Sequence, residues 1–298
     1  MKPQQMSDSV FSEVRLLWPI TAELGEGPIW IASEQALYFV DIKGGQLHRY
    51  QPSSEQRQSF TLPGLPSFVV PAEDDSLIVG MGMALHRFSE DRLQDVLALI
   101  EGDPQCRTND ASVDPQGRLW FGTMDLGQQR PVGKVYRYDG DSVHPAGRGC
   151  AITNGPAISP DGNTLYHVDT LARTIWAFDI SERDTLCDGK VFANIDAEHG
   201  YPDGVTVDAE GAVWVALWGG SCVRRYSPEG ELLASIALPC TQVTKIAFGG
   251  KDLRTVFVTS ARTGLSAEAL QEQPLAGGLF AFESSVAGLP THAVKLSR

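Results

Sequence analysis

Basic residues are scarce in this sequence: 24 Lys and Arg stand against 37 Asp and Glu, a formal charge of −13. Such a surface cannot neutralise a phosphate backbone or an anionic bilayer, so neither nucleic acid nor a membrane is expected as a partner. Long apolar runs are missing too, and no stretch approaches the roughly 18 residues that would span a bilayer. The opening MKPQQMSDSVFSE is polar and lacks the apolar core of a secretion signal. Cysteine is sparse: Cys106, Cys150, Cys187, Cys222 and Cys240 are odd in number and form no CxxC pair. A disulfide framework or zinc knot is therefore not expected, and reduced thiols in a cytoplasmic protein are. The six histidines show no HxH or HExxH spacing, and neither a GxSxG elbow nor a P-loop occurs.

What the chain has in quantity is repetition. A short apolar strand, a few turn residues and a strand ending in an aromatic recur at LYFVDIKGGQLHRY (37–50), LIVGMGMALHRF (77–88), LWFGTMDLGQQRPVGKVYRY (119–138), LYHVDTLARTIWAF (165–178), VWVALWGGSCVRRY (213–226) and VFVTSARTGL (256–265), the last resuming at GGLFAF (277–282). The starts lie 40, 42, 46, 48 and 43 residues apart, the period of propeller blades. Strand-and-turn units such as SVDPQG (112–117), ISPDGN (158–163) and TVDAEG (206–211) precede the hairpins. Further strands such as DVLALI (95–100), KVFANI (190–195) and ELLASIAL (231–238) follow them. Length alone, 298 residues at about 150 per domain, suggests two domains. The repeat replaces that with an all-β, six-bladed β-propeller of four antiparallel strands per blade. It forms a single domain over 13–298, with 1–12 as a flexible tail. Both EVRLLWPI (13–20) and HAVKLS (292–297) alternate as a closing strand should, and the N-terminal segment is the expected one. The segment 261–278, with a helical turn or two, reads as a lid or a lateral loop.

Ten or eleven residues before the second strand of each repeat stand Glu26, Ser67, Asn109, Asn154, Asp203 and Lys245. In a propeller this position opens the innermost strand at one mouth of the central channel. Taken singly, Asn154-Gly155, Asp203-Gly204 and Glu26 between two glycines read as turn residues. Taken together, a ring of carboxylate and amide oxygens also suits a divalent cation. Asp41 and Asp169 end equivalent strands and read as turn caps, Asp110 as a structural carboxylate, and His48 and His86 as matched strand positions.

LGEGPIW (24–30), RTNDASVDPQGRLWFGTM (107–124), ITNGPAISPDGNTLYHVDT (152–170), YPDGVTVDAEG (201–211), ALWGG (216–220) and FGG (248–250) resemble the gluconolactonase / senescence marker protein / luciferin-regenerating enzyme family. The resemblance runs over all six repeats. ALWGG, the FGG after VTK, and PLAGGLFAF are most similar to its bacterial sugar-acid lactonases, including xylonolactonases. It implies a carboxylic ester hydrolase with one divalent metal ion at the channel mouth, whether Ca²⁺, Zn²⁺, Mn²⁺, Mg²⁺ or Fe²⁺. Residue by residue it implies Glu26, Asn154 and Asp203 as metal ligands, Arg107 and Asn109 as the residues that hold a lactone, and Asp203 as general base. In animal members an acidic residue soon after GTM contacts the sugar. Here Asp125, Leu126 and Gly127 follow GTM, and glycine stands at the expected position.

The function expected is that of a metal-dependent sugar lactonase in carbohydrate catabolism. It would open a xylono-, arabinono-, galactono- or gluconolactone to the aldonic acid. Arg107, Asn109 and Lys245 suit a polyhydroxylated substrate, with Trp218 as a stacking wall. The partner is a small-molecule sugar lactone, and the protein a monomer or weak homo-oligomer. Two alternatives stay open: a metal-binding propeller without lactonase activity, and a hydrolase of a non-sugar lactone or ester.

Overall fold

Strands form where short β-branched and aromatic runs are cut by Asp, Gly and Pro turns, and how deeply each is buried follows its place in the sheet. Ala36–Asp41 is buried at every position because both its faces meet neighbouring sheets. Gln56–Thr61, an outer strand, alternates between exposed and half-buried. A computed structural model of the chain describes residues 11–147, 149–182 and 185–297. Of the tail expected over 1–12, residues 1–10 lie outside the described residues. Phe11 and Ser12 lie against blade six, with Ser12 N–H donating to Glu283 O at 3.0 Å.

Six four-stranded antiparallel sheets follow one another around a channel, as the repeat predicts. Blade one comprises Gly25–Ile31, Ala36–Asp41, Gln46–Gln51 and Gln56–Thr61; blade two Pro66–Pro71, Leu77–Met81, Ala84–Ser89 and Arg92–Leu99. Blade three comprises Cys106–Val113, Leu119–Asp125, Val135–Tyr138 and Val143–Pro145; blade four Thr153–Ile158, Thr164–Asp169, Thr174–Asp179 and Lys190–Asn194. Blade five comprises Tyr201–Val207, Val213–Trp218, Cys222–Tyr226 and Leu232–Ala237. Blade six takes Val243–Gly249, Thr255–Ser260 and Leu279–Glu283 from the end of the chain and its outer strand, Arg15–Trp18, from the beginning. Arg15 pairs with Ala281, Leu16 with Phe280 and Trp18 with Leu279, so the N-terminal segment closes the ring.

The other closing candidate, 292–297, crosses the rear of the molecule instead. Val294 N–H donates to Pro71 O, Lys295 N–H to Gly117 O and Ser297 N–H to Gly140 O, at 2.8–3.0 Å, so this segment ties down blades two and three, while Gly288, just before it, donates to Leu253 O of blade six at 2.7 Å. The core is divided among the seams, with one apolar cluster between each pair of neighbouring blades. The insertion at 261–278 carries a helix, Ala267–Glu272, capped by the Ser266 hydroxyl, which accepts from Ala269 N–H. Leu265, Leu270 and Leu275 pack on the seam of blades five and six, which makes it a lateral loop. No helix among the described residues is long and apolar enough to cross a membrane.

Candidate active site

Each inner strand breaks register where its ring residue stands. The shifts fall at Glu26/Ile29, Pro66/Phe68, Thr108/Ala111, Asn154/Ala157, Pro202/Val205 and Val243/Lys245. A bulge inserts a residue into one strand and re-aims its side chain. Six bulges at one level therefore take the ring residues out of the period-2 alternation, and all but Ser67 of these side chains serve the channel. Glycine makes two of them possible: Gly27 and Gly155, directly after Glu26 and Asn154, have φ of 55° and 69°.

Threonines bolt this level together across the seams. Ser67 Oγ donates to Thr108 Oγ1 at 2.6 Å, Thr153 Oγ1 to Thr123 O at 2.8 Å and Thr244 Oγ1 to Gly25 O at 2.6 Å. Sequence reasoning missed these residues, yet the signal is there: Thr108, Thr153 and Thr244 each directly precede a ring residue. Ser67 is spent on this bolting and takes no part in the mouth.

The structure brings Glu26, Arg107, Asn109, Asn154 and Asp203 into one buried group, each between 3% and 8% exposed. Asn154 is fixed in orientation. Its Nδ2 donates to Thr170 Oγ1 at 2.9 Å, which leaves Oδ1 as the acceptor facing the group. Asn109 Nδ2 donates to that Oδ1 at 3.0 Å and to Thr153 O at 2.7 Å. Its own Oδ1 accepts from Arg107 Nη1 at 2.8 Å. Asn109 is thus mostly engaged in holding its neighbours, and one lone pair of Oδ1 is what it can offer a substrate. Arg107 Nη1 also donates to Thr108 O at 2.8 Å, leaving Nε and Nη2 with no partner among the described residues.

Glu26 and Asp203 have little to neutralise them. Glu26 accepts from Gly27 N–H at 2.9 Å, and Asp203 accepts no hydrogen bond among the described residues. Burial, then the charge of Asp110, pushes the Glu26 carboxyl up to about 8. Burial, then the charges of Glu26 and Asp110, raises Asp203 well above the usual carboxylate range. Burial lowers the Arg107 guanidinium to about 10, against the pull of Glu26 and Asp203. Buried carboxylates that repel one another and lack donors attract a cation. Glu26, Asp203 and the Asn154 Oδ1 are the oxygens such a cation could use. No group of three or more His, Cys, Asp or Glu side chains among the described residues forms a metal cage by itself.

Two further expectations meet the structure here. Lys245 does not face an incoming hydroxyl: its ammonium is bound to Asp110 Oδ1 and donates to Ala111 O at 3.3 Å. Asp125, after GTM, turns into its own loop. Backbone N–H groups of Arg130 and Gln129 hold its carboxyl down to about 2, and the Arg130 guanidinium reinforces them at 2.6 Å. Neither Asp125 nor Gly127 therefore supplies the acidic sugar contact of the animal pattern. Asp41 accepts from Glu23, Leu24 and Gly44 N–H groups, the turn-capping role expected of it. A cavity of about 320 Å³ lies on the rear side of the ring, beneath Leu289–His292, with Lys245 in its lining. It opens away from the carboxylates and is not this site.

Fold and mouth together define the class: a six-bladed β-propeller whose channel gathers oxygen donors and an arginine from separate blades. Residues 24–262 match the model of the SMP-30/Gluconolactonase/LRE-like region, and the chain belongs to that family. It is 36% identical over 279 residues to an L-arabinolactonase of Azospirillum brasilense, covering 90% of this chain and 91% of the relative. A 6-deoxy-6-sulfogluconolactonase of Pseudomonas putida is 35% identical over 274 residues, with 89% and 92% covered. Among solved structures, a calcium-binding protein, regucalcin, of Agrobacterium tumefaciens superposes with a TM-score of 0.89 at 29% identity, covering 97% of this chain and 98% of that one.

Proposed function

We propose that this enzyme, a lactone-hydrolysing carboxylic ester hydrolase, opens a sugar aldonolactone to the aldonic acid with one divalent cation held by Glu26, Asn154 and Asp203. The observation that carries the reading is the buried pair of under-neutralised carboxylates beside an amide oxygen locked toward them. A cation bound there supplies polarisation of the lactone carbonyl and stabilises the charge that builds on its oxygen. The rest falls to the chain. Arg107, with Nε and Nη2 free of partners among the described residues, binds the carbonyl or ring hydroxyls and fixes the lactone. Asp203, with no hydrogen bond of its own to give up, takes a proton from the attacking water. It returns that proton to the ring oxygen as the C–O bond breaks. Half-buried Trp218, at the end of its strand beside Gly264, is the wall against which a sugar ring stacks. Lactonases acting on sugar lactones among the relatives support the substrate class. The calcium-binding structural neighbour supports the cation.

The test is pH-stat titration of chelator-treated enzyme against a panel of xylono-, arabinono-, galactono- and gluconolactones, with Ca²⁺, Zn²⁺, Mn²⁺, Mg²⁺ and Fe²⁺ added back singly. Acid release that returns with a cation is the expected result. Hydrolysis of no sugar lactone under any of these conditions would overturn the reading.

A further inference from the structure

Lys245 stands in blade six and Asp110 in blade three, and the order of neighbours around the ring puts these blades on opposite sides of the channel. The lysine side chain crosses that gap. Its ammonium meets Asp110 Oδ1, with both side chains under 10% exposed. The stem runs beside Gly204, where a Cβ would collide with Cβ, Cγ and Cδ of Lys245. The residue after Asp203 therefore has to be glycine for the crossing to exist. On the far side, Asp110 Oδ1 accepts Ala111 N–H at 2.7 Å and Oδ2 accepts Gly155 N–H at 3.1 Å. Gly155 directly follows Asn154 and Ala111 stands two residues after Asn109, so the amides lie near both positions on two different blades. One ion pair thus grips the backbone beside both amide side chains and passes directly behind Asp203. It also divides the channel, since Lys245 lines the rear cavity.

The charges have a consequence of their own. Glu26, Asp110 and Asp203 sit with Arg107 and Lys245 in one buried group, and with all three carboxyls ionised, as a bound cation would require, it carries one negative charge in excess. Removing the lysine charge makes the excess two, and removing the Asp110 charge makes it zero. Inside a protein a unit charge several ångströms away changes cation affinity by about tenfold or more.

We propose that Lys245 and Asp110 form a cross-channel strut of positioning residues. It touches no substrate, holds the Asn109 and Asn154 amides in place, and sets the charge that the mouth presents to a divalent cation. The proposal rests on the cation-dependent reading above. It assigns Lys245 to the architecture of the site and removes it from sugar recognition.

The experiment titrates Ca²⁺ or Mn²⁺ alone into chelated protein by calorimetry, followed by kcat and KM on whichever lactone the wild type hydrolyses. Lys245→Met is expected to tighten cation binding about tenfold and Asp110→Asn to weaken it about tenfold, while both lower kcat. The charge-balanced double variant is the one most able to fold. It is expected to return to within about threefold of the wild-type cation affinity while kcat stays at least about tenfold down, because the grip on Gly155 and Ala111 is gone. Lys245→Arg, which keeps the charge, is expected to recover part of kcat. Single variants whose affinities move in the same direction, or a double variant with wild-type kcat, overturn the strut. A wild type that binds neither cation overturns instead the reading of the site on which it rests.

Discussion

The proposed reaction assigns the proton transfer to Asp203, and the isolation of this residue makes its removal informative. It accepts no hydrogen bond among the described residues and stands among like charges, so its carboxylate costs the cation-free fold stability. Asp203→Asn is therefore expected to lower turnover by about 10²–10⁴ while raising the melting temperature of the chelated protein. Loss of activity together with a lower melting temperature would contradict this assignment. The same repulsion predicts a pH dependence. Glu26 binds its proton more tightly in the fold, up to about 8 against an ordinary 4.5, and Asp203 is raised as well. The folded chain then holds more protons than the unfolded chain over that window, so these groups cost the chelated protein stability as pH rises from about 4.5 through 8. A cation held there, as proposed, would cancel the repulsion. The difference in melting temperature between loaded and chelated protein should grow from pH 5 to pH 8, and a constant difference would count against a shared cation site. The positions of these residues were legible in the sequence because they recur at one offset. Their engagements were not: that Asn109 spends both amide hydrogens on its neighbours, or that Lys245 reaches Asp110, depends on which blades face each other across the channel.

At the scale of the element, the repeated turn carries more than its loop. In blades three and five an aspartate at the end of the inner strand collects the turn and a tryptophan six residues on. Asp114 accepts Gln116 and Arg118 N–H groups and Trp120 Nε1 at 2.8 Å. Asp208 accepts Glu210 and Ala212 N–H groups, Trp214 Nε1 at 2.8 Å and Arg225 Nε at 2.8 Å. The motif was visible as SVDPQG and TVDAEG, but only as a turn, because the indole and guanidinium partners lie on the next strands. Asp208→Ala strands those buried donors and the guanidinium, and should cost about 3–5 kcal/mol in denaturant unfolding. Asp161, in the exposed turn of blade four, bonds locally to Ser159 and Asn163. Its alanine variant should cost under about 1 kcal/mol. Equal losses at the two sites would mean that the buried indole and arginine contacts carry no weight. The six bulges were the least legible elements. Period-2 alternation describes a regular strand, and a bulge is the departure from it that the site requires.

For the molecule as a whole, the ring is joined inside blade six, where the first strand pairs with Leu279–Glu283, and that closing strand then packs on blade one. Trp18, on the closing strand, packs edge-on against Phe39 and His48 of blade one, with centroids 5.8 and 5.4 Å away. Arg57 Nη2 of the same blade donates to Leu17 O at 2.6 Å. His48 sits inside this joint: Nδ1 bonds Ser59 Oγ at 2.8 Å, while Nε2 is buried without a partner among the described residues. Burial holds its imidazole down to about 4, against the weaker opposing charge of Asp41. The unfolded chain binds this proton near pH 6.5 and the folded chain only near 4. Stability contributed by the neutral ring is therefore complete above about 6.5 and is lost as pH falls toward 4, to the extent of about 3 kcal/mol. His167, buried in blade four and likewise lowered to about 4, adds a loss of the same sign away from the joint. His48→Phe keeps the aromatic contacts with Trp18 and Phe39 and removes the titrating group. Its unfolding free energy should fall about 3 kcal/mol less than that of the wild type between pH 6.5 and 4. If both proteins lose stability in parallel across that range, His48 does not govern acid opening of the ring. A flatter profile for the variant would place the acid-sensitive step where the closing strand packs on blade one.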